Sequence, residues 1–266
     1  MFSLDPRGGH NRYNFKIDFF EKWTPEMAYV LGFLYADGYI EDAGKSSRTQ
    51  YISFGSKDKE IIELIRSVLG SKHIINYRIP SKVFFPGGKT YKCAEFYKLR
   101  IGSKKWFRDL LRLGLVPKKS LIIKFPNNIP DKYFGHFVRG YFDGDGCVTI
   151  KRGRGARGQT ILKGVAVIFT SGSRLFLEGL RNRAHQIVGF RKRIVYYGSR
   201  SRACYLKYNT AESVRWFQLF YGDCFNLFLK RKYNVFQKYF QLRPVRIDKE
   251  TAKILNKGSW PGIQVV

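Results

Sequence analysis

Apolar and polar positions along this chain fall into two successions of the same order. In the first, Thr24 and Pro25 open an apolar stretch that runs to Ala36 and closes at Asp37-Gly38. Thr24 can cap the start of a helix, with Pro25 at its first position and Gly38 ending it. A charged loop follows, then the strand-like run Gln50-Tyr51-Ile52-Ser53-Phe54 and a turn at Gly55-Ser56. The segment Lys59 to Leu69 sets Ile61, Ile62, Ile65 and Leu69 on one face, the spacing of a helix. Strands are predicted over 74–85 and 91–101, then a helix over 103–113 that stops at Gly114.

The second succession repeats the first. Pro130 and Gly146 bracket an apolar stretch, followed by Gly- and Arg-rich residues 152–158 and the run Val165-Ala166-Val167-Ile168-Phe169. A turn at Ser171-Gly172-Ser173 leads into a helix from Arg174 to Val188, with Leu177, Leu180 and Ile187 at helical spacing. Strands are predicted over 190–198 and 202–209, and a helix over 210–221 that stops at Gly222. Each half reads α-β-β-α-β-β-α, so the fold class is a duplicated α+β architecture.

The two apolar stretches also match residue by residue. Val30-Leu31-Gly32-Phe33-Leu34-Tyr35-Ala36-Asp37-Gly38 returns 108 positions later as Val138-Arg139-Gly140-Tyr141-Phe142-Asp143-Gly144-Asp145-Gly146. The stop glycines Gly114 and Gly222 keep the same spacing. The organisation is therefore an N-terminal extension (1–20), a first half (21–114), a linker (115–130) with Pro117, Pro126 and Pro130, a second half (131–241) and a C-terminal tail (242–266).

Charge narrows the function. The chain has 49 Lys and Arg against 20 Asp and Glu, a net +29, spread along its length. Such an excess opposes compaction and calls for a polyanionic partner, whether ribosomal-type scaffolding, a membrane surface or nucleic acid. An aromatic content of 17% argues for a packed body over a disordered polybasic chain. No apolar run is long enough for a membrane span, and charges throughout Met1–Lys22 leave no signal-peptide core. Cys93, Cys147, Cys204 and Cys224 lack Cys-x-x-Cys spacing, which points to reduced thiols in an intracellular protein.

The repeated motif carries the chemistry. Gly32/Ala36 and Gly140/Gly144 each make a stripe of small residues on which two helices can approach backbone to backbone. If the motif helices pack together, Asp37 and Asp145 emerge side by side. Adjacent carboxylates repel unless a cation sits between them, and Mg2+ suits carboxylate, water and phosphate oxygens. Asp143 is expected to be structural, because the first repeat has Tyr35 in its place.

Over roughly residues 24–240 the chain resembles the LAGLIDADG homing endonucleases, whose name-giving motif both segments fit. The resemblance implies half-domains related by a pseudo-two-fold axis, with antiparallel sheets forming a DNA-binding saddle. It implies that Asp37 and Asp145 bind the catalytic metal. That metal would be Mg2+, with Mn2+ able to substitute and Ca2+ supporting binding without cleavage. Gly114-Leu115-Val116-Pro117-Lys118-Lys119-Ser120 and Leu229-Lys230-Arg231-Lys232 also resemble family segments in which a lysine after the last helix lies near the active site. Carried over, that lysine is Lys119 in one half and Lys232 in the other, with Lys118 and Lys230 as the neighbours to be told apart from them. Ser56 and Ser171, at corresponding strand ends, are candidates for ordering solvent.

Strand alternation supplies the binding face. Val148 and Ile150 point inward, so Thr149 and Lys151 point out; Leu99 and Ile101 point inward, so Lys98 and Arg100 point out. Leu206 inward leaves Tyr205, Lys207 and Asn209 outward, and the same argument selects Asn76, Arg78, Arg191 and Arg193. Arg and Asn on a β-ribbon can read guanine and adenine edges in the major groove. The expected partner is double-stranded DNA, bound by a monomer with no obligate protein partner. The alternatives are an RNA-binding maturase acting on its host intron, and a catalytically silent DNA-binding regulator. The expected compartment is intracellular, either the bacterial cytoplasm or an organelle (mitochondrion or chloroplast).

Overall fold

The computed structural model describes residues 13–42, 49–84, 88, 90–198, 203–224 and 226–257. The first half begins with helix α1 (Pro25–Ala36), where the Thr24 hydroxyl accepts the Met27 N–H at 3.1 Å. Strands β1 (Gly38–Glu41) and β2 (Tyr51–Ser56), helix α2 (Lys59–Val68), strands β3 (Ile75–Arg78), β4 (Ser81–Phe84), β5 (Thr90–Cys93) and β6 (Phe96–Gly102), and helix α3 (Lys104–Arg112) follow. The second half runs α4 (Asp131–Asp145), β7 (Gly146–Arg154), β8 (Thr160–Ser171), α5 (Arg174–Val188), β9 (Val195–Tyr197), β10 (Cys204–Tyr208) and α6 (Thr210–Tyr221). Helices α7 (Lys230–Leu242) and α8 (Lys249–Lys257) close the described chain. No helix of the described residues is long and apolar enough to cross a membrane.

Each half forms one four-stranded antiparallel sheet with the same strand order, β1-β2-β6-β3 and β7-β8-β10-β9. The architecture is the expected α+β duplication. Two predicted strands differ from expectation in a way that matters below. The segments 74–85 and 91–101 each divide in two, and β4 and β5 pair as a separate two-stranded sheet. Pro80, which has no N–H to give, stands at the break. The segment 190–198 is strand only over Val195–Tyr197.

The halves meet through α1 and α4, which are buried along most of their length. A Cβ placed on Gly32 would lie 1.9 Å from the Phe137 carbonyl oxygen, and one on Gly140 would lie 2.0 Å from that of Tyr29. These glycines therefore set the approach of the two backbones. The contacts are reciprocal: Gly32 also faces the Tyr141 N and Gly140 the Phe33 N. Equivalent positions of the repeat thus touch one another, as a two-fold relation requires.

Segments outside the repeat are packed too. The Trp106 indole donates to the carbonyls of Lys16 and Ile17, and Phe20 is buried beside it. Helix α8 seats Ala252, Ile254 and Leu255 in the core, and Gln218 of α6 donates to Asp248 and Thr251. The four cysteines are free thiols.

Candidate active site and nucleic-acid interface

The tight crossing of α1 and α4 brings their C-terminal ends together. A Cβ on Gly144 would meet the Ala36 Cβ at 2.4 Å and the Asp37 Cγ at 3.4 Å, so the residue before Asp145 already lies against Asp37. Asp37 is exposed at the end of α1, and Asp145 is half-buried. Burial, and then repulsion from Asp37, push the Asp145 carboxyl up to about 6, against the pull of Lys119 and Lys232. Desolvation by the surrounding protein also raises Asp37, opposed by Lys232, Lys119 and Arg231. Two acids held together at a cost to their ionised forms suit a hard cation. Among the described residues no group of three or more His, Cys, Asp or Glu could hold a metal ion. The protein would then supply two carboxylates, leaving the remaining positions to water and phosphate oxygens, which is the usual environment of Mg2+.

Lys119 and Lys232 both reach this point and are both buried. Lys119 Nζ donates to the Ala36 carbonyl at 2.6 Å, at the end of α1. Lys232 Nζ donates to the carbonyls of Asp143 (2.9 Å), Gly144 (3.3 Å) and Gly146 (2.6 Å), and to that of Phe142, at the end of α4. Each ammonium thus meets the C-terminal carbonyls and negative dipole end of its own motif helix. Burial lowers both lysines, Lys232 to about 8, with nearby carboxylates opposing the shift. The neighbours are turned away. Lys118 takes a left-handed backbone (φ 54°), unusual for a side-chain-bearing residue, and stays exposed while Lys119 points in. Lys230 pairs with Glu60 at 2.6 Å.

Asp143 is part of the scaffold. Its Oδ2 accepts the Tyr29 hydroxyl at 2.7 Å and the Leu229 N–H at 2.9 Å, which fixes the start of α7, the helix that carries Lys232. Tyr35, at the matching place in the first repeat, donates to the Leu113 carbonyl at 2.8 Å. Ser56 and Ser171 end their strands as expected, but each hydroxyl accepts a backbone N–H two residues on, from Asp58 and Ser173, both at 3.1 Å. They order the turn into the next helix.

The outer sheet faces hold most of the expected binding residues. Cross-strand register places Asn76 opposite Lys98 and Arg78 opposite Phe96, and alternation adds Arg100, Ser53, Tyr39 and Tyr51 to the same face. Arg100 is half-buried there, paired with Glu41 at 2.8 Å and stacked 3.6 Å over the Tyr51 ring. Lys98 lies over the Tyr39 ring. In the second half Thr149, Lys151, Tyr205 and Lys207 share the outer face with Thr170, Ile168 and Tyr196. Lys151 donates to Asn209 at 2.9 Å, between Lys207 and Arg193.

The strand placement of two residues needs correction. Arg191 and Arg193 precede β9, and Arg193 donates to Glu212 of α6 at 2.6 and 2.9 Å, with the Arg191 N–H also directed to Glu212. Their parity is that of buried Val195. The outward residue of β9 is Tyr196, which faces Tyr205 as Asn76 faces Lys98. Sequence reasoning missed Tyr196 because the predicted strand began too early.

Residues 135–219 match the family model described as a LAGLIDADG-like domain. The second half is a LAGLIDADG-like domain. Solved structures extend the likeness to nearly the whole chain. The LAGLIDADG homing endonuclease I-LtrWI, crystallised with its target DNA, aligns with a TM-score of 0.54 at 11% identity over 91% of this chain and 97% of that one. The homing endonuclease I-WcaI, bound to its DNA recognition sequence, gives 0.52 at 13% identity over 82% and 90%. The LAGLIDADG meganuclease I-AabMI, bound to uncleaved DNA, gives 0.51 at 14% identity over 90% and 100%. At such identities the likeness is one of fold, and the LAGLIDADG fold accounts for both halves and their α1–α4 contact. No curated protein matches the chain in sequence.

Proposed function

We propose that this protein is a site-specific, double-strand DNA endonuclease that acts as a monomer on a long, non-palindromic target. One observation carries the reading: Asp37 and Asp145 emerge together from two motif helices, with a buried lysine at the end of each helix. The net charge of +29 and the basic outer sheet faces support a polyanionic duplex as substrate. Because the outer faces differ, Asn76, Lys98 and Arg100 against Tyr196, Tyr205 and Lys207, the two half-sites would differ in sequence.

In this reading Asp37 and Asp145 hold divalent cations, Mg2+ or Mn2+. A metal so bound supplies an activated water and stabilises the leaving oxygen of an in-line displacement. Lys119 and Lys232 place positive charge beside the scissile phosphates as negative charge develops. The sheets form the saddle that seats the duplex, phosphates fixing position and base edges fixing sequence.

Incubation with a randomised duplex library and Mg2+, followed by sequencing of cleaved ends, tests the proposal. Double-strand cuts are expected from the wild type and none from Asp37→Asn or Asp145→Asn, both still binding. Cleavage by either variant at the wild-type rate would refute the metal assignment. Binding and splicing of intron RNA without cleavage of any duplex would favour the maturase reading instead.

A further inference from the structure

The β4–β5 ribbon has no counterpart among the described residues of the second half. β3 and β6 pair with Arg78 opposite Phe96; after the break at Pro80, β4 and β5 resume with Ser81 opposite Cys93. Three residues pass on each strand, so the register is unchanged across the interruption. The ribbon therefore continues the same hairpin, and by alternation Lys82 and Lys92 lie on the face that carries Asn76, Arg78 and Lys98. In the second half the chain turns where this extension would begin. Gly198 bonds to Ala203, leaving only residues 199–202 between them, against residues 79–95 in the first half.

The ribbon is also poorly supported by the protein itself. Every described residue of β4 and β5 except Cys93 is exposed, with Phe84 75% and Tyr91 56% accessible. An isolated two-stranded ribbon is marginal in water. Lys82 stands directly opposite Lys92, an arrangement of like charges that destabilises a strand pair. Neither lysine has an acidic partner among the described residues. The charge calls for an anion on that face.

We propose that the β4–β5 ribbon is an arm that binds the phosphate backbone of duplex DNA beyond the first half's share of the target, through Lys82 and Lys92. The inference rests on the DNA-binding reading above and adds an asymmetry to it. Phe84 lies six residues past Arg78, roughly 20 Å at ~3.3 Å per residue. That length corresponds to up to about six base pairs. Protection of DNA should then extend farther from the cut centre on the side of the first half.

Two measurements on a duplex selected from the randomised library test this. Hydroxyl-radical footprints of the wild type should be longer on one side by several base pairs. The excess should vanish in Lys82→Thr/Lys92→Thr while the central footprint remains. On a long duplex the double variant should flatten the dependence of log affinity on log salt by about two units. Trimming flanking base pairs on the first half's side should flatten the wild type equally, a test that leaves the protein unaltered. A symmetric footprint, or a wild-type salt slope unchanged by trimming, would overturn the arm while leaving the nuclease reading standing. Failure of the wild type to bind any duplex would overturn both.

Discussion

The Tyr29 hydroxyl of one motif helix donates to the Asp143 carboxylate of the other at 2.7 Å, a buried hydrogen bond between the two halves. Burial raises both groups, Tyr29 well above its ordinary value, so the pair is held as phenol and carboxyl oxygen with little competition from water. The other carboxylate oxygen, Oδ1, has no partner among the described residues, so Oδ2 carries the hydrogen bonding. Tyr29→Phe removes one of two donors to a buried acceptor and should cost about 1–3 kcal/mol in urea unfolding. A loss within ~0.3 kcal/mol would mean that the bond contributes nothing net.

Lys119 and Lys232 occupy equivalent ends of the motif helices but are not equally bound. Lys232 meets four carbonyls and Lys119 one. Burial offsets much of the gain from these bonds, and truncation costs chiefly by leaving carbonyls without their donor, about 1–3 kcal/mol, so Lys232→Met should destabilise the fold by about 3 kcal/mol. Lys119→Met should cost about 1 kcal/mol and still impair cleavage. Equal shifts in the urea midpoint would show that the extra carbonyls add nothing.

The duplication was legible because it is written in position: the Asp-Gly ends, the small-residue stripes and the stop glycines all recur at one spacing. Alternation found Lys98, Arg100 and Lys207 because Leu99, Ile101 and Leu206 are buried beside them. It failed at Arg191 and Arg193, which precede the strand between buried Phe190 and Val195 of opposite parity, and where Glu212 draws the guanidinium of Arg193. Tertiary pairing was equally hidden. Nothing local to Arg100 announces Glu41, which reaches it from another strand. Helix α7 ends the second half but has no matching α-helix among the described residues that follow Gly114, so the repeat itself did not announce it. The division of the long hairpin at Pro80 was visible in principle, since a proline inside a strand run argues for a break.

Gly32 tests the helix contact directly. A methyl there would overlap the Phe137 carbonyl, and backbone on both sides leaves nothing flexible to yield. Gly32→Ala should lose about 3 kcal/mol or fail to fold. Gly102→Ala, whose added Cβ would have the Thr49 and Tyr51 side chains as its nearest neighbours, at 3.3 Å and beyond, should stay within about 1 kcal/mol of wild type. Similar thermal unfolding of the two variants would deny the close approach its structural role.

Asp145 links the site to stability. Its carboxyl rises from 3.8 to about 6 in the folded chain, through burial and the neighbouring Asp37. Between those values the folded protein keeps a proton that the unfolded chain releases, so stability falls as pH rises through that window. The penalty is complete above about pH 6 and amounts to roughly 3 kcal/mol for a shift of about two units. Asp145→Asn should therefore unfold at higher denaturant than wild type at pH 7.5 in EDTA, with the difference closing near pH 4. Adding Mg2+ should stabilise the wild type selectively, because a cation bound between Asp37 and Asp145 removes the repulsion that the substitution relieves. A variant no more stable than wild type at pH 7.5 would show that the paired carboxylates are not strained. An equal response of both proteins to Mg2+ would place the cation elsewhere.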